Sequence, residues 1–216
     1  MKPALKKSLH WVGGGIGFAG VIFIVIRINE HSAQIDFRLF NVTSWTGIII
    51  LAFIYGCANL FLANAWWNIL GFFRAEVKKN RAVKIYGISQ IAKYVPGNIF
   101  QFASRQALGL SADLPGWVLV KSIFWELALI SVTGGFFAFL IIPSIFPDLS
   151  IIFVLLFFIP AIFILVFCVW HLVDVFVVKA FAFHFLFLTT SGLIFVGSLV
   201  IAGGHVTFNI ETLIFY

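Results

Sequence analysis

Residues 151–170 read IIFVLLFFIPAIFILVFCVW, twenty positions without one charged side chain. At ~1.5 Å of rise per residue this run makes a helix of about 30 Å, the thickness of a hydrocarbon core. A membrane barrel would instead show short segments alternating between apolar and polar positions. Backbone groups in lipid must pair within the protein, so an unbroken apolar run of this length reads as a transmembrane α-helix.

The remainder of the chain agrees with that reading. Of 216 residues, 62% are hydrophobic and only 10% are charged, and the mean hydropathy is +1.11. Soluble domains carry about 25% charged residues because their surface faces water. Here the charge is too sparse to cover a globule, and the 28 phenylalanines suit lipid contact. The two cysteines, Cys57 and Cys168, both sit in apolar runs and read as small buried hydrophobes rather than a disulfide or metal site.

Five spans follow, at about 9–28, 46–73, 117–142, 149–170 and 181–202, with a partial sixth at 206–216. The expected fold is all-α, a polytopic transmembrane helix bundle forming one membrane domain over 1–216. The first span follows Lys2, Lys6 and Lys7 and reads as a retained signal anchor, too long for a signal-peptide core and without a small-residue cleavage site. Its Gly13, Gly17 and Gly20 provide for close helix packing. The 206–216 stretch reads as a helix cut short, as in a truncated chain.

Cations fix the orientation. With the N-terminus in the cytoplasm, twelve Lys and Arg fall on the inner side and only Arg27 and Arg38 outside. This is the positive-inside pattern; the expected location is the cell (inner) membrane, multi-pass. It also explains the excess of Lys and Arg without nucleic acid. The Asn41-Val42-Thr43 sequon falls on the outer side.

One segment departs from the pattern. Residues 85–110, IYGISQIAKYVPGNIFQFASRQALGL, are dense in polar groups and split by Pro96-Gly97, a pair that breaks a helix. Each arm has about ten to thirteen residues, roughly 15 to 20 Å of helix and so about half a hydrocarbon core. Because the segment must start and end on the same side, it reads as a re-entrant hairpin. An amphipathic pair lying on the cytoplasmic surface satisfies the same residues, and the two readings stay open. Ser89, Gln90 and Lys93 are spaced i, i+1 and i+4 on the first arm, and Asn98, Gln101 and Arg105 are spaced i, i+3 and i+7 on the second. Such faces suit phosphate oxygens.

Glu126 lies about nine residues into the third span, ~13 Å deep. An acid at that depth needs a partner or water. Lys93 is the first expected partner and Arg105 the second; the plainer alternative is that Glu126 ties helices together through hydrogen bonds.

The run Ser89-Gln90-Ile91-Ala92-Lys93-Tyr94-Val95-Pro96-Gly97, followed by Arg105 and a span carrying Glu126, resembles the membrane region of the lysylphosphatidylglycerol synthase family. That region also forms a wider group of small membrane proteins associated with glycolipid and polysaccharide assembly. The resemblance implies a helical bundle handling an anionic lipid, an anionic phospholipid or polyprenyl-linked glycan, and moving it between leaflets. It carries Lys93, Tyr94, Pro96, Gly97, Arg105 and Glu126 over as substrate-binding positions, beside Asn98 and Gln101 from the spacing. The chain has nothing equivalent to the synthases' soluble aminoacyl-transfer domain, so aminoacyl transfer is not expected. The glycine-rich motif common later in family members does not occur before Tyr216.

No catalytic set stands out. His10, His31, His171, His184 and His205 show no metal-ligand pairing, and His171 with Asp174 reads as a solvated loop pair. No cofactor or metal is expected, and an enzyme is the weaker expectation. Three functions are carried forward: a flippase-like translocator, a membrane adaptor for a lipid or polysaccharide biosynthetic enzyme, and a membrane transferase acting on a lipid headgroup.

Overall fold

The structure, a computed structural model of the chain, describes residues 3–32, 41–95, 99–140, 142–146 and 149–201. All regular structure among them is helical: α1 (Pro3–Ser32), α2 (Val42–Phe72), α3 (Lys79–Ile91) with one 3₁₀ turn at Ala92–Tyr94, α4 (Phe100–Ser111), α5 (Gly116–Phe139), α6 (Ile142–Ile145), α7 (Ile151–Leu172) and α8 (Val175–Ile201). Five of them, α1, α2, α5, α7 and α8, are long and apolar enough to cross a membrane. The 206–216 partial span lies outside the described residues.

The surface of these helices is what lipid requires. Ile152 is 75% exposed, Phe53 73%, Trp11 71% and Phe163 70%. So many large apolar side chains facing outward would be untenable in water, and together with the span lengths they make this an integral membrane protein. Cys57 and Cys168 share this position: both are free and exposed, not buried. In a membrane helix an apolar residue is as well placed against lipid as inside, so the apolar runs did not distinguish the two.

Helix ends follow local chemistry. Ser150 caps α7 by accepting from Ile152 N at 3.2 Å, and Asp174 accepts from Phe176 N at 2.9 Å at the start of α8. Asn41 accepts from Ser44 N at 2.8 Å, so the residue that heads the sequon is the cap of α2. Helix α3 begins at Lys79, earlier than the expected hairpin arm, and takes Lys79, Arg81 and Lys84 onto a helix instead of a loop.

The chain forms two compact units, residues Met1–Phe40 with Trp66–Glu126, and Asn41–Ala65 with Leu127–Tyr216. In the second unit aromatic rings join helices: Tyr55 meets Phe187 and Phe61 meets Phe183 at 6.4 Å, and Phe136 lies 6.1 Å from Phe158 and 6.3 Å from Phe181. Buried Thr133 and His184 turn their polar atoms to their own helices, on Leu129 O at 2.6 Å and Ala180 O at 2.8 Å.

In the first unit, α3 and α4 pack on α1 through its glycines. A Cβ at Gly13 would lie 2.7 Å from Leu108 Cγ and 3.1 Å from Ser104 O, and one at Gly17 would lie 3.3 Å from Ile88 O. At Gly20 the carbonyl oxygen of Ile91 occupies the place a Cβ would take. Only glycine permits this approach. Ser104 Oγ adds a hydrogen bond to Gly13 O at 2.8 Å.

These contacts give direction as well as proximity. Near its start α1 is bonded through Lys6 to Asp113, just past α4, then meets Ser104 and Leu108, then Ile88, and last Ile91 and Ala92. Helix α3 therefore runs with α1 and α4 runs against it. Lys6 to Gly20 is about 21 Å of helix, some two-thirds of a ~30 Å core. The two arms lie lengthwise along a span-length helix and return to the end where they began. That arrangement is a helical hairpin packed lengthwise against α1.

Candidate functional site

The hairpin is closed onto the bundle by a buried polar cluster. Arg105 projects from α4 and is 1% exposed; Glu126 projects from α5 and is 8% exposed. Arg105 Nη1 donates to Glu126 Oε2 in a salt bridge. Glu126 Oε1 accepts from Tyr86 Oη on α3 at 2.7 Å. Arg105 Nε donates to Ser89 Oγ at 3.3 Å, and Ser89 Oγ donates to Tyr86 O at 2.7 Å. A single carboxylate thus holds both arms of the hairpin to α5.

Aromatic rings enclose the cation. The Arg105 guanidinium carbon lies 4.0 Å from the Tyr86 ring centroid, 5.5 Å from Trp66 and 5.8 Å from Phe102. Its Nη2 is buried without a hydrogen-bond partner among the described residues, so ring faces are what steady that edge. Trp66 is itself fixed from α2, donating Nε1 to Ser122 Oγ at 3.0 Å, and Ser122 donates to Leu119 O at 2.8 Å. The pair is electrically neutral as a whole, which is what lets both charges sit away from water.

The salt bridge to Glu126 therefore comes from the second expected partner. Lys93 does not reach it. Lys93 sits on the 3₁₀ turn at the far end of α3, one turn beyond the level of Arg105, and its Nζ lies 5.1 Å from the Tyr94 ring centroid. The face carrying Gln101 and Arg105 also differs from expectation: at Arg105 it packs against protein rather than opening onto a cavity, because Tyr86, Ser89, Trp66 and Glu126 enclose it.

The remaining candidates collect at the hairpin's far end. Lys93 is half-buried, Tyr94 is exposed and Gln101, in the first turn of α4, is half-buried. Pro96, Gly97 and Asn98 lie outside the described residues. Two kinds of position thus share the motif: Arg105 and Glu126 inside, and Lys93, Tyr94 and Gln101 nearer the surface of the hairpin tip.

Sequence reasoning missed Tyr86, Trp66 and Ser122. Tyr86 was within reach, since Tyr86, Ser89 and Lys93 are spaced i, i+3 and i+7 and share a face. Ser122 stands four residues before Glu126 and so on the same face of α5. Nothing in the sequence separates Trp66 from the adjacent Trp67.

At the opposite end the groups are basic and wet. Lys7, Lys78, Lys79, Arg81 and Lys84 are exposed, and Lys6 bonds to Asp113. The hydrogen bond from Lys6 holds the Asp113 carboxyl below its ordinary value, helped by nearby positive charge that includes Arg81. His171 is exposed, stacked on Trp170 at 5.4 Å with Phe167 edge-on at 4.5 Å, and among the described residues no group of His, Cys, Asp and Glu could hold a metal. Compared with protein-family models, curated proteins and solved structures, the chain matches none.

Proposed function

We propose that this membrane protein handles an anionic or lipid-linked substrate and moves it between leaflets as a flippase-like translocator. The observation that carries the reading is a polar hairpin running about 21 Å along the span-length helix α1, with Lys93, Tyr94 and Gln101 at its far end. A cation at membrane depth is costly and is retained where it meets a substrate or ion. Lys93, Asn98 and Gln101 carry side-chain donors for a phosphate and Gly97 a backbone N–H, beside Pro96, which has no donor, while Tyr94 offers a ring for the adjoining part of the lipid. Arg105 and Glu126 act by holding the hairpin in place. The resemblance to the membrane region of the lysylphosphatidylglycerol synthase family points the same way. The cytoplasmic N-terminus expected from the cation bias would put the hairpin's open end at the leaflet where such lipids are made.

The test is a leaflet-specific assay of labelled anionic phospholipid in reconstituted vesicles. Lys93→Ala and Gln101→Ala slow transfer while leaving the helices folded. Arg105→Ala and Glu126→Ala slow it together with a loss of stability. Unchanged transfer in all four variants overturns the reading.

A membrane adaptor is the second reading, favoured by the exposed cations of α3, Lys79, Arg81 and Lys84. It requires co-purification with a lipid or polysaccharide biosynthetic enzyme, lost when these three are neutralised and kept in Lys93→Ala.

A further inference from the structure

One face of α1 carries a hollow that no other described residue fills. It is lined by His10, Trp11, Gly14, Gly15 and Phe18, with a volume of about 340 Å³. That is at the lower end of the range for small-molecule pockets. A Cβ added at Gly14 or Gly15 would meet nothing within 4 Å, whereas Gly13, Gly17 and Gly20 press on the hairpin. At 100° per residue Gly15 lies about opposite the Gly13, Gly17 and Gly20 set, and Gly14 about a quarter-turn round from it. One set is explained by packing; the other is not.

The order of side chains along this face matches the order of groups in a phospholipid. Lys7 is exposed at the basic end, on the same face one turn before Trp11. His10 and Trp11 follow, then the glycine floor, then Phe18, 67% exposed. Cation, indole, cleft and ring follow one another along α1 in the order that a lipid entering from the N-terminal end would meet them. Trp prefers the interface and cations attract anionic headgroups there. We infer that this groove binds one anionic phospholipid from the leaflet at the N-terminal end of α1, its phosphate against Lys7 and His10 and an acyl chain over Gly14 and Gly15 between Trp11 and Phe18. The site is on the side of α1 away from the hairpin and does not depend on translocation.

The experiment uses the full chain reconstituted in equal phosphatidylglycerol and phosphatidylcholine, gently extracted, and weighed by native mass spectrometry with its retained lipid. The wild type retains phosphatidylglycerol in preference to phosphatidylcholine. Gly15→Leu fills the groove from a position where an added Cβ meets nothing within 4 Å, and Lys7→Gln removes the cation that faces the headgroup; each lowers retained phosphatidylglycerol by about five- to tenfold. Gly135→Leu, which also meets nothing within 4 Å, serves as the control and retains it. Equal retention in all four proteins overturns the inference. So does a loss in Lys7→Gln with none in Gly15→Leu, which is charge attraction without a groove. A dimer in the wild type that becomes a monomer in Gly15→Leu also overturns it, because the face then belongs to a second copy.

Discussion

The guanidinium of Arg105 ends against the carboxylate of Glu126, 21 residues further on, with both side chains shut away from the surface. The bond connects α4 to α5, and Tyr86 brings α3 to the same carboxylate. Removing one partner leaves the other charge buried and uncompensated, which costs about 3–5 kcal/mol. Arg105→Leu and Glu126→Leu are therefore each expected to lower the denaturation midpoint in detergent strongly. The double variant recovers much of the loss, and a double-mutant cycle reads the coupling directly. Additive losses would mean that the pair does not hold the hairpin.

Tyr86→Phe separates the hydrogen bond from the ring. It keeps the face against Arg105 and removes the donor to Glu126. A hydrogen bond to a charged group contributes about 1.5–3 kcal/mol, so a smaller loss than for Glu126→Leu is expected. No loss at all would put the weight on the ring instead.

Glycine substitutions on the first unit are expected to split by face. Gly20→Ala drives a Cβ into the backbone of Ile91, which cannot move aside cheaply, and destabilises by about 1–3 kcal/mol. Gly87→Ala meets nothing within 4 Å and gains up to about 1 kcal/mol of helix propensity. Thermal unfolding of the two variants, followed by circular dichroism, checks the sign of each.

The Lys6–Asp113 bond makes a small, pH-dependent contribution at the hairpin's open end. The Asp113 carboxyl is held low, so the contribution is present above the carboxyl's unfolded-state value and fades as pH falls through the folded-state value. Asp113 is exposed, which screens the effect. It also adopts a left-handed backbone, φ 64°, that Asn tolerates. Asp113→Asn keeps the turn and is expected to flatten the acid limb of a stability–pH profile with little change in the fold.

How far the sequence was legible depends on which physics was being read. Apolar runs are long-range and redundant, so each of the five expected spans coincides within a few residues at most ends with a helix long and apolar enough to cross a membrane; α1 and α8 start earlier because Ala4 to Ser8 and Val175 to Ala180 are helix-compatible too. The glycines at 13, 17 and 20 were legible because i, i+4, i+7 spacing names one face. Which acid meets which cation was not. Lys93 and Arg105 both stood within a helical turn or two of the hairpin's break, and only the register of α4 against α5 decides between them. Gly109 fits closely against Leu119 there, whose Cδ2 lies 2.6 Å from where a Cβ would be, a contact no spacing rule foretells. The exposure of Cys57 and Cys168 was hidden for a related reason: apolar residues carry no mark of which side of a membrane helix they take.

The central claim is that residues 79–111 enter the bilayer beside α1 and leave on the same side. It is tested most directly by depth measurement with single spin labels, in a background carrying Cys57→Ser and Cys168→Ser. Labels at Lys84, Tyr94 and Ser111 in reconstituted vesicles report oxygen against a polar relaxant. The account predicts Tyr94 deep in the membrane with Lys84 and Ser111 shallow and on one side. Equal shallow depth at all three would contradict it, as would Lys84 and Ser111 on opposite sides.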